Sequence, residues 1–331
     1  MAKKIVLYSF PPVPYSYSMS PFGLKAEAFL RINNIPYEMC YTSSFGKNGT
    51  IPYLRLFDGD GDGDDSDGIY EEVSDSNEII NRLLKDPEFD TALCENGLTH
   101  EQKAIAHTCL RMLEEHTAQT GFYFRYALQM PEFCEATELR ERVFMGDESS
   151  FGSFIFKMFK KKGPEGTLKK AKCRGFTRYS NKDAVWSMSF EDLQALEDIL
   201  VLSTNEDNNK ASEEYAYFFG RSNPSVLDCA VFGHLSQFLY IRIDFPQKKY
   251  LNENCPGLLR FMEYFKNTHF PDWESKCQKK PNESLREDSP RMQAFTKKMR
   301  RRFGGMVVLS VMATVGVFAY HSIIKPSRQR R

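Results

Sequence analysis

Residues 4–10, KIVLYSF, form an apolar strand-like run that stops at prolines. The stretch after it, PPVPYSYSMSPFGLKAEAFL, is a proline-broken turn followed by an amphipathic helix. A strand that turns directly into a helix commits the chain to a layered βα start, because each element must bury its apolar face on the other. Pro21 suits the first helical position, where the missing N–H costs nothing. Leu24, Ala28 and Ile32 give that helix one apolar face with Phe29 beside it, and the NNIP of residues 33–36 stops it. A second strand reads over residues 37–41. A glycine-rich loop then brings Pro52 to the mouth of a third strand, and IYEEV supplies a fourth. Ser74, Asp75 and Ser76 open a helix whose buried face is Ile79, Ile80, Leu83 and Leu84.

The order βαβ, then ββα, is a thioredoxin-like layout over residues 1–88. Residues 98–274 read as all-helical. Thr99 and Gln102 match a capping box that starts a long helix reaching about Tyr126. Residues 159–180 are basic and contain glycines, and read as a mobile connection. Helices resume over residues 190–202, 224–243 and 256–267. Residues 275–303 are a polar linker with prolines.

Residues 304–324 carry no charge, and about 21 residues make a helix of about 31 Å, the thickness of a bilayer's hydrocarbon core. Lys297, Lys298, Arg300, Arg301 and Arg302 precede this run, and Lys325, Arg328, Arg330 and Arg331 follow it. Basic residues at both ends can snorkel to the two headgroup layers. The expectation is a tail anchor with cytosolic domains, and its moderate hydrophobicity between basic flanks favours the mitochondrial outer membrane. Lys plus Arg total 44 against 44 Asp plus Glu, so nothing global argues for a nucleic-acid partner. None of the 8 cysteines forms a C-x-x-C pair, which points to reduced, packed thiols in a cytosolic compartment.

Four local features invite chemistry. An X-Pro bond at Ile51–Pro52 can be cis and so present the Ile51 backbone edge to a ligand. Asp75 and Ser76 stand at a helix start, which is an anion site or simply a cap. Ser225 and Asp228 are three apart and form a structural capping box, and His234 packs among the helices. The acidic turn from Asp60 to Glu71 resembles a calcium loop, but Asp65 stands where the sharp turn needs glycine; it reads as a solvated hairpin loop, and no metal site is expected.

Several longer stretches carry a resemblance. SPFGLKAEAFLRINNIPYE, GTIPYLRL and DSNEII are similar to pieces that recur across the glutathione transferase superfamily. RGFTRYSNKDAVWSMSFEDLQALEDIL, YFFGRSNPSVLDCAVFGHLSQFLY and CPGLLRFMEYFKNTHFPDW resemble the more distinctive blocks of the failed axon connections family, relatives of the metaxins. The resemblance covers residues 4 to about 273. It implies a thioredoxin-like domain followed by an all-α glutathione-transferase-like domain. It also implies glutathione as the one cofactor: Ser20 would activate its thiol, Ile51 beside cis Pro52 would pair with its cysteinyl backbone, and Asp75 and Ser76 would hold its γ-glutamyl end. It implies an adaptor or sorting component with a protein partner, and leaves open a homodimer and, as the alternative, an active glutathione-dependent transferase in detoxification.

Overall fold

The computed structural model describes residues 3–57, 70–91, 94, 97–144, 150–178, 183–205 and 217–278. All of these residues belong to one compact unit, Met1–Leu285. The expected anchor at 304–324 lies outside the described residues, as does nearly all of the linker at 275–303. No helix among the described residues is long and apolar enough to cross a membrane. The acidic turn also falls outside them up to residue 69; Glu71 is in strand β4 and pairs with Arg82 at 2.9 Å.

Four strands make one sheet: β1 (Lys4–Ser9), β2 (Glu38–Tyr41), β3 (Tyr53–Phe57) and β4 (Tyr70–Ser74), in the order β2-β1-β3-β4. β1 runs parallel to β2 and antiparallel to β3, which is antiparallel to β4. Helix α1 (Pro21–Ile32) is the crossover between the parallel pair, as such a pair requires. α2 (Ser76–Leu84) follows β4 and buries Ile79, Ile80 and Leu83.

The helical half begins with α3 (His100–Met112), held by a capping box in which Thr99 Oγ1 accepts from Gln102 N at 3.1 Å and Gln102 Oε1 from Thr99 N at 3.0 Å. Two π-turns, Leu113–Thr117 and Phe124–Leu128, flank α4 (Ala118–Tyr123), so the chain stays helical past Tyr126. α5 (Met130–Ala136) and α6 (Leu139–Arg142) follow.

The connection expected over residues 159–180 is instead mostly helix: α7 spans Ser150–Cys173, with Pro164 inside it. Gly163, Pro164 and Gly166 look like breaks, yet Phe144 and Tyr126 meet Phe159 at 5.6 and 5.9 Å and fasten the helix there. The stop signal lies later. Gly175 has φ +84°, its N–H reaches Lys172 O and the Phe176 N–H reaches Ala171 O at 2.9 Å, the paired bonds of a Schellman ending.

The remaining helices are α8 (Ala184–Asn205), α9 (Val226–Leu239), α10 (Pro246–Asn254), α11 (Pro256–His269) and α12 (Trp273–Gln278). α9 is the buried axis. At its start Asp228 Oδ2 accepts from Ser225 N at 2.7 Å and Ser225 Oγ at 2.5 Å, and Oδ1 accepts from Phe218 N at 2.9 Å. Burial pushes that carboxyl up to about 6. Midway, Gly233 lets α1 lie directly on α9: a Cβ there would come within 2.7 Å of Pro21 O and 2.8 Å of Lys25 N.

The end of the described chain is stitched to its beginning. Trp273 Nε1 donates to Tyr15 O, Tyr17 Oη and Arg31 bond Asp272, and buried Arg142 donates to both Pro12 O and Cys277 O.

Candidate functional site

The turn between β1 and α1 places Ser20 as the N-cap of α1. Its Oγ accepts from Gly23 N at 3.2 Å, its N–H bonds Ser18 Oγ at 3.0 Å, and the residue is 7% exposed. Gly23 is needed there, since a Cβ would lie 2.3 Å from Ser9 Oγ.

Across the sheet, the Ile51–Pro52 peptide is cis, and Pro52 O accepts from Asp75 N at 3.2 Å. The chain turn and the tip of α2 therefore adjoin. Asp75 has φ 75° and ψ 140°, a costly conformation for a residue with a Cβ, and its Oδ1 caps α2 by accepting from Asn77 N at 2.8 Å. Beside it Ser76 is fully buried, and among the described residues its Oγ has no hydrogen-bond partner; neither do Ser74 Oγ and Thr50 Oγ1. Orphaned hydroxyls are uncommon in folded proteins. Three of them cluster around one junction where the resemblance puts the γ-glutamyl end of glutathione, but they are enclosed and Asp75 is already engaged as a cap.

A charged network lies behind this junction. Lys25, fully buried on α1, donates to Glu114 Oε1 at 2.5 Å and Asn77 Oδ1 at 2.8 Å. Glu114 Oε2 accepts from Asn77 and Arg111. Burial works to raise the Glu114 carboxyl, but the Lys25 charge together with the hydrogen bonds from Lys25 and Asn77 holds the group below its ordinary value. His234 is fully buried near them, edge-on to Phe22 at 5.1 Å, with both ring nitrogens unpartnered. Burial and the Lys25 charge push its pKa down to about 3, so the ring is neutral and no nucleophile is partnered with it.

A cavity of about 1390 Å³ opens in the fold. Phe10, Met19, Ser43 and Phe45 line it from the sheet half, Phe122, Tyr123 and Tyr126 from α4 and the π-turn after it, and a long face of α7 closes it. Ser20, Ile51, Pro52, Asp75 and Ser76 are not among its lining residues. Behind the wall, Arg125 is buried, donates to Met19 O at 2.8 Å and lies over the rings of Phe122, Tyr126 and Phe133. No carboxylate partners it among the described residues, and burial pushes its guanidinium below its ordinary value. Sequence reasoning missed Lys25, Glu114 and Arg125, whose partners lie far along the chain, and the α7 wall, whose signal was the spacing of its lysines.

Residues 21–132 match the family model of the glutathione S-transferase N-terminal domain, and residues 191–265 that of the glutathione S-transferase C-terminal domain. The curated protein Failed axon connections of Drosophila melanogaster is 30% identical over 286 residues, which is 83% of this chain; the chain spans 60% of that relative's length. A beta-etherase from Sphingobium sp. strain SYK-6 is similar in structure, with TM-score 0.48 at 18% identity over 82% of this chain and 99% of that one. A glutathione S-transferase of Ceriporiopsis subvermispora, solved in complex with glutathione, gives TM-score 0.43 at 15% identity over 80% and 97%.

Proposed function

The chain belongs to the glutathione S-transferase superfamily and is a homologue of Failed axon connections; from that premise we propose that it is a membrane-held adaptor or sorting component of the failed axon connections and metaxin type, whose cleft binds a ligand without running a conjugation. The observation that carries this reading is at the start of α1. Met19 lines the cavity, whereas Ser20, the residue the resemblance assigns to thiol activation, is not among its lining residues and caps the helix. A transferase must hold the sulfur, its activating donor and the electrophile in one volume. The charge-free segment at 304–324 with its basic flanks supports anchorage, with cytosolic domains on the mitochondrial outer membrane and a protein partner.

A second reading, an active glutathione-dependent transferase, is favoured by the bond between Asp75 N and Pro52 O and by the unpartnered Ser76 Oγ next to it. In that reading glutathione supplies the nucleophilic thiol, Ile51, Asp75 and Ser76 hold the tripeptide, and the Ser20 hydroxyl donates to the thiolate, which lowers the thiol's pKa.

The two readings part on one pair of measurements on the full chain. Titration with glutathione is expected to give no saturable heat, and a chromogenic electrophile no conjugate. Saturable binding that Ser76→Ala abolishes, or conjugation that Ser20→Ala abolishes, would establish the transferase instead. A fluorescent reporter carrying residues 290–331 is expected to outline mitochondria; a reticular pattern would overturn the assigned membrane.

A further inference from the structure

The cavity is too large and too lopsided in charge for a small neutral guest. At about 1390 Å³ it exceeds the range of roughly 300–1,000 Å³ typical of small-molecule pockets. Its floor is aromatic. Its α7 wall carries Lys162, Lys169 and Lys170, spaced i, i+7 and i+8 so that they share one helix face. All three are exposed, and none forms an ion pair among the described residues. Arg174, one turn beyond, is neutralised by Glu115 at 3.2 Å. The described lining contains no aspartate or glutamate. Behind the opposite wall the buried Arg125 guanidinium adds a positive charge with no carboxylate partner among the described residues. Positive charge around a low-dielectric volume focuses potential into it and favours an anion.

We infer that this cleft binds an anionic single-chain amphiphile, with its acyl chain against the aromatic floor and its carboxylate or phosphate head at the stripe of Lys162, Lys169 and Lys170. The chain supplies apolar area to bury, and the head pairs with ammonium groups that form no ion pair among the described residues. A free fatty acid and a monoacyl phosphate share this chemistry. The inference deepens the binding reading of the cleft, and the two fail separately: turnover of an electrophile would sink that reading and leave amphiphile binding intact.

Cys173 provides the probe. It lines the cavity and is exposed, while the other seven cysteines are buried. The rate at which a neutral maleimide labels Cys173 in the full chain is measured with dodecanoate, dodecyl phosphate, dodecanol, dodecyltrimethylammonium or inorganic phosphate, each below its micelle concentration. Dodecanoate and dodecyl phosphate are expected to slow labelling; the neutral chain, the cationic chain and phosphate alone are not. Whichever of the two anions protects at lower concentration identifies the head group. Reversing the stripe with Lys162→Glu, Lys169→Glu and Lys170→Glu is expected to raise the dodecanoate concentration needed by roughly fivefold or more, as for a few exposed ion pairs, and to let the ammonium amphiphile protect instead. Equal protection by dodecanol and dodecanoate, or protection by none of the amphiphiles, would overturn the inference.

Discussion

Two helices, α7 in the wall of the cleft and α1 starting just after Met19 at its edge, solve opposite problems. Between Pro21 and Leu30, α1 is buried at nearly every position, including Lys25 and Glu27, whose charges are met by partners deep in the fold. It lies on α9 so closely that position 233 admits only glycine without displacing backbone. α7 carries a proline and three glycines, exposes most of its length, and leaves its lysines facing open volume. A helix whose charged groups are answered from within contributes rigidity; a wall whose lysines form no ion pair among the described residues is left to meet a ligand. The superfamily fold here separates the fixed part of its cleft from the receptive part.

That contrast can be broken most directly at Lys25. Lys25→Met removes the fully buried partner of Glu114, leaving it only the half-exposed Arg111, and is expected to cost about 3 kcal/mol in denaturant unfolding, since a broken buried ion pair leaves its carboxylate poorly compensated. A loss below about 1 kcal/mol, the value of an exposed pair, would show that α1 is no more fixed than α7.

His234 sharpens the same contrast through pH. Its folded pKa of about 3 is depressed from an unfolded value near 6.5, so the neutral ring's stability is fully present above about pH 6.5 and is lost as pH falls toward 3. At pH 5 the loss is about 2 kcal/mol, and His234→Leu is expected to flatten the stability curve of the full chain by that amount. Asp228, raised to about 6, acts with the opposite sign: its contribution falls as pH rises from about 4 to 6. It is present in both proteins, so their difference isolates His234. Parallel curves for the two would remove the buried imidazole from the account.

The smallest effect belongs to α7. Pro164→Ala restores a helix N–H at a position where proline costs about 3 kcal/mol locally. The gain is expected as slower amide exchange within α7, while the global unfolding free energy changes by less than about 0.5 kcal/mol. A full shift in global stability would mean that α7 is as integral to the core as α1.

Local signals gave a reliable account of local structure. Pro21 marked the start of α1, Thr99 with Gln102 the start of α3, and the alternating strand and helix signals the thioredoxin-like half. Asp75 and Ser76 were visible as a helix tip, and the structure brings that tip to Pro52. The same method misplaced α7, because Gly163, Pro164 and Gly166 weigh as breaks in a short window while the phenylalanines that hold the helix are contributed from elsewhere. Lys25 and Glu114 are 89 residues apart, and Arg125 reaches Met19 across 106. Nothing in either neighbourhood names the other, so the charges that shape the cleft could be read only from the folded chain.

The stitching of α12 to the opening loop sets a path for mechanical load. Tension applied to the polypeptide beyond Gln278 would arrive first at Cys277, Trp273 and Asp272, and through their bonds to Arg142, Tyr15, Tyr17 and Arg31 it would reach the loop that leads into α1. A pull on the tail is thereby a pull on the threshold of the cleft.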